Sequence, residues 1–275
     1  MKLPDLNRKI CLFSVDQNEI VSTSTPLSTL IPQPEYIPVI EDLIACLTTG
    51  FRTNLHSVYV YGSVAQGRAI PNVSNLDVVV VTREPCKDSQ SSLFNTINWR
   101  FQREFAFVRG LSIRTALVAE VASLEALFTW GFLLKQCCVN VMGDDLAECF
   151  GEYVPSWEIA KQWNMDIGQT ALEHRQQVAL ANSQQEMLVS QRQMAKKLLR
   201  ASYGLVMHKT RRWLDDPVAC GQQFLTVYPE RAQTIERLEI LLGTRAIPKR
   251  SVVALVDEFG PWLAKEYQKL EFKIG

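Results

Sequence analysis

Hydrophobic and polar positions in the first half of the chain switch between helical and strand spacing. Apolar side chains recur every three or four positions over residues 38–47, which predicts a helix. Residues 57–61 and 77–81 are rich in β-branched and aromatic side chains, and the run VVVV in the second segment favours a buried strand. We predict a further helix over residues 93–108 and a third strand over residues 115–122.

The pattern then becomes helical. The segment SLEALFTWGFLLKQ predicts a helix with Ser123 as its N-cap, and VNVMGDD predicts a short strand followed by a turn. After Gly151, β-branched runs are rare, and Gln, Glu, Ala, Leu, Lys and Arg dominate. Loops are expected at Pro217 and Pro248. The helices predicted for this half cover residues 159–180, 186–212, 229–242 and 252–272.

These patterns divide the chain into three parts. Residues 1–35 include a Ser- and Thr-rich stretch with Pro26, Pro32 and Pro34, which excludes a continuous helix there and predicts a mostly extended arm. Strands that alternate with helices predict an α/β domain over residues 36–152. The helical pattern that follows predicts a second, all-helical domain over residues 153–275.

Composition and charge narrow the class of protein. The 275 residues are 47% hydrophobic and 21% charged, and the formal net charge is zero, so no global basic field attracts nucleic acid. The seven cysteines show no paired spacing, which argues against a disulfide framework or a structural zinc site. With no apolar run of about 20 residues and no signal-peptide core, we expect a soluble, cytoplasmic protein that does not bind membranes.

Candidate chemistry begins at Gly62 and Ser63, directly after the strand sequence VYVY. Glycine at a strand end lets the backbone approach a ligand closely, and the N–H groups of a helix that opens there favour a phosphate. The Ser63 hydroxyl adds a donor, and Gly67 keeps the far side of the turn open. Arg68 either supplies positive charge to a phosphate or points into solvent.

Acidic chemistry follows on the next strand. Residues two apart on a strand face the same side, and two carboxylates at positions 75 and 77 would bind Mg²⁺. Asp77 is such a carboxylate, whereas Asn75 keeps an oxygen but lacks the charge. A third carboxylate must come from a neighbouring strand. Glu120 is the only acid in the predicted third strand.

The order of Gly62-Ser63, an eleven-residue spacer and Asn75-Leu76-Asp77 resembles a signature of the DNA polymerase β-like nucleotidyltransferase superfamily. Its members usually carry Asp-x-Asp after Gly-Ser. The later segment VNVMGDDL and the helical second half are similar to bacterial proteins of the aminoglycoside-adenylyltransferase type. The resemblance implies an α+β fold, in which a small mixed β-sheet with helices precedes an all-helical C-terminal domain.

The resemblance also implies roles for single residues. Gly62 and Ser63 would bind the triphosphate of ATP or another NTP, with Arg68 nearby. Asp77 and the residue at position 75 would be Mg²⁺ ligands in a two-metal site, and Glu120 would be a metal ligand or the base for the acceptor. Such an enzyme transfers a nucleoside monophosphate, most often AMP, to a hydroxyl acceptor in the cleft between its domains.

Two functions stay open because Asn75 lacks the charge that Mg²⁺ prefers. The chain is either an active nucleotidyltransferase, whose acceptor is a small molecule, a protein or a nucleic acid, or a catalytically degenerate nucleotide-binding or protein-interaction module. Asp144 and Asp145 fit a turn or a helix cap. One group of basic residues fits either a solvated helix face or a wall facing triphosphate or nucleic acid. This group consists of Lys196, Lys197, Arg200, Lys209, Arg211 and Arg212.

Overall fold

A computed structural model of the protein describes residues 26–274, except for the side chains of Asp88, Ser89 and Ser91. The chain divides into two compact units, of which the first ends at Glu152 and the second begins at Tyr153. Most of the arm predicted for residues 1–35 lies outside the described residues. Its described part contains one helical turn, α1 (Leu27–Leu30), so it is not extended throughout.

The first unit is a four-stranded sheet with helices. Its further helices and strands are α2 (Ile37–Phe51), β1 (Leu55–Tyr61), α3 (Gly62–Ala65), β2 (Leu76–Thr82), α4 (Asp88–Glu104), β3 (Leu111–Leu117), α5 (Val118–Val121), α6 (Phe132–Cys137) and β4 (Cys138–Gly143). Single 3-10 turns lie at Pro34–Tyr36, Arg52–Asn54, Leu124–Ala126 and Leu146–Cys149, and a π-helical turn at Leu127–Gly131.

The sheet has the strand order β3-β2-β1-β4. β1 pairs antiparallel with β2 and with β4, whereas β2 and β3 are parallel, so the sheet is mixed. In this register Tyr61 lies opposite Asp77, and Asp77 lies beside Ser112. The α+β fold with a small mixed sheet and a helical second half is therefore confirmed.

The two faces of the sheet differ because side chains alternate along each strand. Val58, Val60, Val78 and Val80 are fully buried and belong to one hydrophobic core, to which α2 and α4 also contribute. Each buried valine stabilises the fold by roughly 1.5–3 kcal/mol. The opposite face carries the polar side chains at one end of the sheet, which leaves that end available for a site.

The third strand differs from the prediction. β3 ends at Leu117, and the segment TALVAEVA predicted as the strand continues into α5. β3 lies at the edge of the sheet, and its polar residues Ser112, Arg114 and Thr115 are partly or fully exposed. An edge strand that is exposed to solvent needs no continuous apolar run. The prediction therefore took the apolar residues 115–122 for the strand, although β3 begins at Leu111 and ends at Leu117.

Two predicted helix starts have the expected caps. The Ser123 hydroxyl accepts a hydrogen bond from Ala126 N (3.3 Å), at the start of three consecutive helical segments that end at Cys137. Asp145 Oδ1 accepts one from Ala147 N (2.9 Å), which confirms the interpretation of this acid as a cap. Both side chains satisfy backbone N–H groups that have no partner within the helix.

The described part of the second unit consists of helices and their connections. These helices are α7 (Trp157–Asn164), α8 (Ile167–Leu180), α9 (Gln184–Gly204), α10 (Met207–Thr210), α11 (Pro217–Leu225), α12 (Ala232–Leu241) and α13 (Lys249–Gln268), with a 3-10 turn at Pro229–Arg231. The helix predicted over residues 159–180 is thus divided between α7 and α8. Within residues 26–274, no helix has both the length and the apolar character needed to cross a bilayer.

Gly143 offers a test of the sheet. Its φ is +80°, and a Cβ atom there would lie 2.0 Å from the backbone oxygen of His56. Gly143→Ala is therefore expected to lower the free energy of unfolding by about 2 kcal/mol or more, because neither backbone can shift cheaply. At Gly151 nothing lies within 4 Å of such a Cβ. Gly151→Ala is the control and should change the stability little in urea unfolding; equal effects would contradict the β1–β4 pairing.

Candidate functional site

The candidate site begins where β1 ends. Gly62 turns the chain with φ +74°, a left-handed conformation that favours glycine. A Cβ atom at Gly62 would lie 2.7 Å from Asp77 Oδ2, so the carboxylate packs against the bare backbone of the turn. Glycine is therefore required here both by the dihedral angle and by the close approach of Asp77. Ser63 follows directly and is half-buried.

Asp77 is the second residue of β2. Tyr61 lies opposite it on β1, and Ser112 lies beside it on β3. Its neighbours Leu76 and Val78 are fully buried, because they face the hydrophobic core, whereas Asp77 is half-buried. The pairing of β1 with β2 thus brings the predicted phosphate-binding turn and the predicted metal ligand into contact.

Asn75 lies one residue before β2 and continues the pairing with the chain before β3. Leu76 N donates to Gly110 O (2.9 Å), and Arg109 N donates to Ser74 O (3.1 Å). Asn75 therefore lies between two backbone hydrogen bonds that join this segment to the one before β3. Asn75 Oδ1 is 3.7 Å from the position that a Cβ atom would take on Gly110. The residue across from Asn75 therefore has no side chain to contribute.

Glu120 does not join these residues. It lies in α5, beyond the end of β3. There Oε1 accepts a hydrogen bond from Trp130 Nε1 (2.8 Å), and Oε2 accepts one from Leu117 N (3.4 Å). Because β2 and β3 are parallel, the β3 residue beside Asp77 is Ser112, near the start of the strand. The structure therefore places Glu120 at the end of β3 that lies away from Asp77, which corrects its prediction as the third carboxylate.

The donor set at this end of the sheet does not fit a two-metal centre. The residues around Asp77 offer an amide at Asn75 and a hydroxyl at Ser112, with no side chain at Gly110. In the described part of the chain, no three His, Cys, Asp or Glu side chains are grouped so that they could hold a metal ion. Hard cations such as Mg²⁺ are held mainly by carboxylates, and paired metals need several of them. Asp77 is the single carboxylate among these four positions.

Arg68 lies just past the turn, and its side chain is exposed. Its guanidinium donates to Gln66 Oε1, and its backbone N–H donates to Ser63 O (2.8 Å). Gln33 holds the next residue of this loop, since its amide both donates to Ala69 O (3.0 Å) and accepts from Ala69 N (2.8 Å). These hydrogen bonds fix the conformation of the loop and keep the backbone of Arg68 beside Ser63.

Arg114 belongs to the same face of the sheet and was not singled out from the sequence. It lies two residues after Ser112 on β3, so both side chains point to the face that carries Asp77. Its guanidinium carbon lies 5.5 Å from the centroid of the Tyr61 ring. Polar residues spaced two apart, as in the sequence LSIRT, are the signal that would have indicated an edge strand with a polar face here.

Two charged side chains near Tyr61, those of Arg114 and Asp77, shift the pKa of its phenol. Burial raises the pKa of the Tyr61 phenol. Arg114 lowers this pKa, Asp77 raises it, and a side-chain hydrogen bond with Ser112 lowers it. The Tyr61 phenol therefore interacts with both the Asp77 carboxylate and the Arg114 guanidinium, and Tyr61 directly precedes the Gly62 turn.

Two of the basic residues in the helical unit have structural partners. Lys197 Nζ donates to Trp163 O (2.9 Å) and to Asn164 Oδ1 (3.2 Å). Arg200 forms an ion pair with Asp215 (3.0 Å). These contacts tie α9 to α7 and to the chain before α11, so they account for both residues without a ligand.

Comparisons with known proteins agree with this fold. No family model matches the chain, and no curated protein sequence matches it. Among solved structures, spectinomycin adenyltransferase AAD(9) from Enterococcus faecialis, determined with ATP and spectinomycin, matches with a TM-score of 0.54 and 15% sequence identity. The match covers 83% of this chain and 98% of that chain. At this identity the likeness concerns the fold alone, and the chain has an adenyltransferase-like fold.

The contact between Gly62 and Asp77 can be measured with a double-mutant cycle. Gly62→Ala is expected to lower the free energy of unfolding by about 1–3 kcal/mol, from its left-handed φ and from the collision with Oδ2. In an Asp77→Ala background the loss should be smaller, because the colliding oxygen is absent. Identical losses in both backgrounds, measured by urea unfolding, would show that the carboxylate does not pack on the turn.

The pKa of Tyr61 gives a second test. Because it is raised above the unfolded value of about 10, the stability gained from the neutral phenol is fully present below pH 10 and is lost as pH rises through the folded pKa. Arg114→Met should raise this pKa further, and Asp77→Asn should lower it. Tyrosinate absorbance, corrected with Tyr61→Phe, measures both shifts. Shifts of the opposite sign would contradict the placement of the two charges.

Proposed function

We propose that the protein binds a nucleoside triphosphate at the turn after β1 and does not transfer the nucleotide. The observation that carries this proposal is the register of β2 and β3, which puts the hydroxyl of Ser112 beside Asp77 where a second carboxylate would complete a metal site. With Asn75 at the other predicted metal position, a single acid is left. The chain is thus a catalytically degenerate module on an adenyltransferase-like fold.

The turn supports the binding half of the proposal. Gly62 leaves the backbone open beside the half-buried hydroxyl of Ser63, which suits a phosphate group. Arg68 follows this turn with an exposed guanidinium that can add positive charge. The similar structure of spectinomycin adenyltransferase was determined with ATP, which favours a nucleoside triphosphate over other phosphates.

Electrostatics supports the second part of the proposal, that the protein does not transfer the nucleotide. Transfer of a nucleoside monophosphate places negative charge on the reacting phosphate, and preorganised positive charge must stabilise it. A carboxylate such as Asp77 has the opposite effect, since a unit charge of the same sign at 4 Å costs about 1 kcal/mol in water and about 4 kcal/mol near a protein surface. A carboxylate that holds no metal ion therefore opposes the reaction that a group of carboxylates with bound metal ions would promote.

A second candidate is the active enzyme, which would transfer AMP to a hydroxyl acceptor, as the sequence resemblance implies. The contact between Gly62 and Asp77 favours it, because phosphate-binding turn and carboxylate still adjoin as such chemistry requires. In this case Mg²⁺ would be held by Asp77, the Asn75 amide and the phosphates themselves. The acceptor would be a small molecule of the kind that spectinomycin represents, or a protein or nucleic-acid hydroxyl.

Titration of ATP into the protein, combined with a pyrophosphate-release assay, tests the proposal. We expect ATP to bind with a dissociation constant that Ser63→Ala increases several-fold, because one hydrogen bond is worth about 0.5–1.5 kcal/mol. No pyrophosphate should be released with Mg²⁺ and a panel of hydroxyl acceptors that includes spectinomycin. Thr49→Ala, an exposed hydroxyl on α2, is the control for binding.

Two results would overturn it. Pyrophosphate release that Asp77→Ala abolishes would show that the active enzyme is the correct function. Absence of ATP binding by the folded protein would show that the protein has an adenyltransferase-like fold but that the turn does not bind a nucleotide.

A further inference from the structure

The face of the sheet that carries Asp77 also carries one basic side chain, Arg114. Its position on β3 is beside Val79, two residues along β2 from Asp77. Sheet geometry separates the Cα atoms of Asp77 and Arg114 by about 8 Å, a distance that an extended arginine side chain spans. Arg114 is exposed, and none of the ion pairs among residues 26–274 involves it.

The Tyr61 ring holds this guanidinium near the turn. Arg114 Cζ lies 5.5 Å from the ring centroid, within the distance at which a cation is attracted to an aromatic face. Tyr61 is the last residue of β1, and Gly62 follows it directly. A side-chain hydrogen bond with Ser112 lowers the pKa of the Tyr61 phenol, so the phenol lies near β3 as well. The positive charge thus lies beside the ring of Tyr61, the residue that precedes the predicted phosphate-binding turn.

A triphosphate at this turn meets the negative charge of Asp77. Enzymes of this chemistry place Mg²⁺ between carboxylates and phosphates, yet the residues here lack the acids for two such ions. A guanidinium can occupy the same electrostatic role, because its planar N–H groups bind two phosphate oxygens at once and it is always charged.

We propose that Arg114 supplies the positive charge that binds the triphosphate, in place of Mg²⁺. The inference rests on the proposed function and adds its main binding residue. It makes phosphate recognition independent of divalent cations. It also assigns Tyr61 the role of a platform that positions Arg114 between the carboxylate of Asp77 and the ligand.

Calorimetric titrations of the full chain with ATP, inorganic tripolyphosphate and adenosine, each with Mg²⁺ or with EDTA, test the proposal. We expect ATP and tripolyphosphate to bind with dissociation constants that EDTA changes by less than about threefold, and adenosine to bind much more weakly. Arg114→Met should weaken ATP and tripolyphosphate roughly tenfold or more, the factor for one charge-assisted hydrogen bond. Arg114→Lys should retain part of the affinity.

The control is Arg103→Met. Arg103 is also exposed and also lies over an aromatic ring, that of Trp99 at 4.7 Å, but on α4 rather than on β3. Its loss should leave all dissociation constants unchanged, and circular dichroism checks that each variant is folded.

The outcomes separate the two proposals. If the unaltered protein binds no ATP, the proposed function fails, and Arg114 has no triphosphate to bind. If it binds ATP but Arg114→Met and Arg114→Lys bind as tightly, the proposed function holds and the role of Arg114 is refuted. Loss of ATP binding in EDTA would likewise refute it, because a divalent cation would then supply the charge. Binding of ATP without tripolyphosphate would show recognition of the nucleoside instead of the phosphates.

Discussion

The antiparallel register that places Tyr61 opposite Asp77 is the constraint on which the site depends. It aligns the end of β1 with the start of β2, so the turn at Gly62 meets the Asp77 carboxylate. A shift of β2 by one residue would turn Asp77 towards the hydrophobic core, which favours this register. The same register therefore keeps Asp77 out of the core and beside the Gly62 turn.

The parallel pairing of β2 with β3 then decides which chemistry is possible. It brings Ser112 beside Asp77, and Arg114 to the same face. A centre with several carboxylates gathers metal ions and uses them against phosphate charge, whereas one carboxylate and one guanidinium nearly balance each other. Such a pair suits binding of an anion better than stabilisation of the charge that develops during nucleotidyl transfer.

The sequence was sufficient for the turn, for β1 and β2 and for the fold class, because buried strands and glycine turns leave strong local patterns. It failed at β3, since an edge strand with alternating exposed residues resembles a loop. With the wrong boundaries, Glu120 was the acid predicted on the third strand, and Ser112 and Arg114 were not predicted as site residues. Which β3 residue lies beside Asp77 depends on long-range pairing, and no local pattern in residues 105–122 encodes it.

The most direct measurement introduces acids at positions 75 and 112 and tests whether a metal site forms with Asp77. We would titrate ATP into the Asn75→Asp/Ser112→Asp variant with Mg²⁺ and with EDTA, beside Asn75→Asp/Thr115→Asp, in which the second acid lies on the other face of β3. The first variant should bind ATP at least tenfold more tightly with Mg²⁺ than with EDTA, and the second should not. A folded first variant without any Mg²⁺ dependence would contradict the account, because positions 75, 77 and 112 would then not face one site.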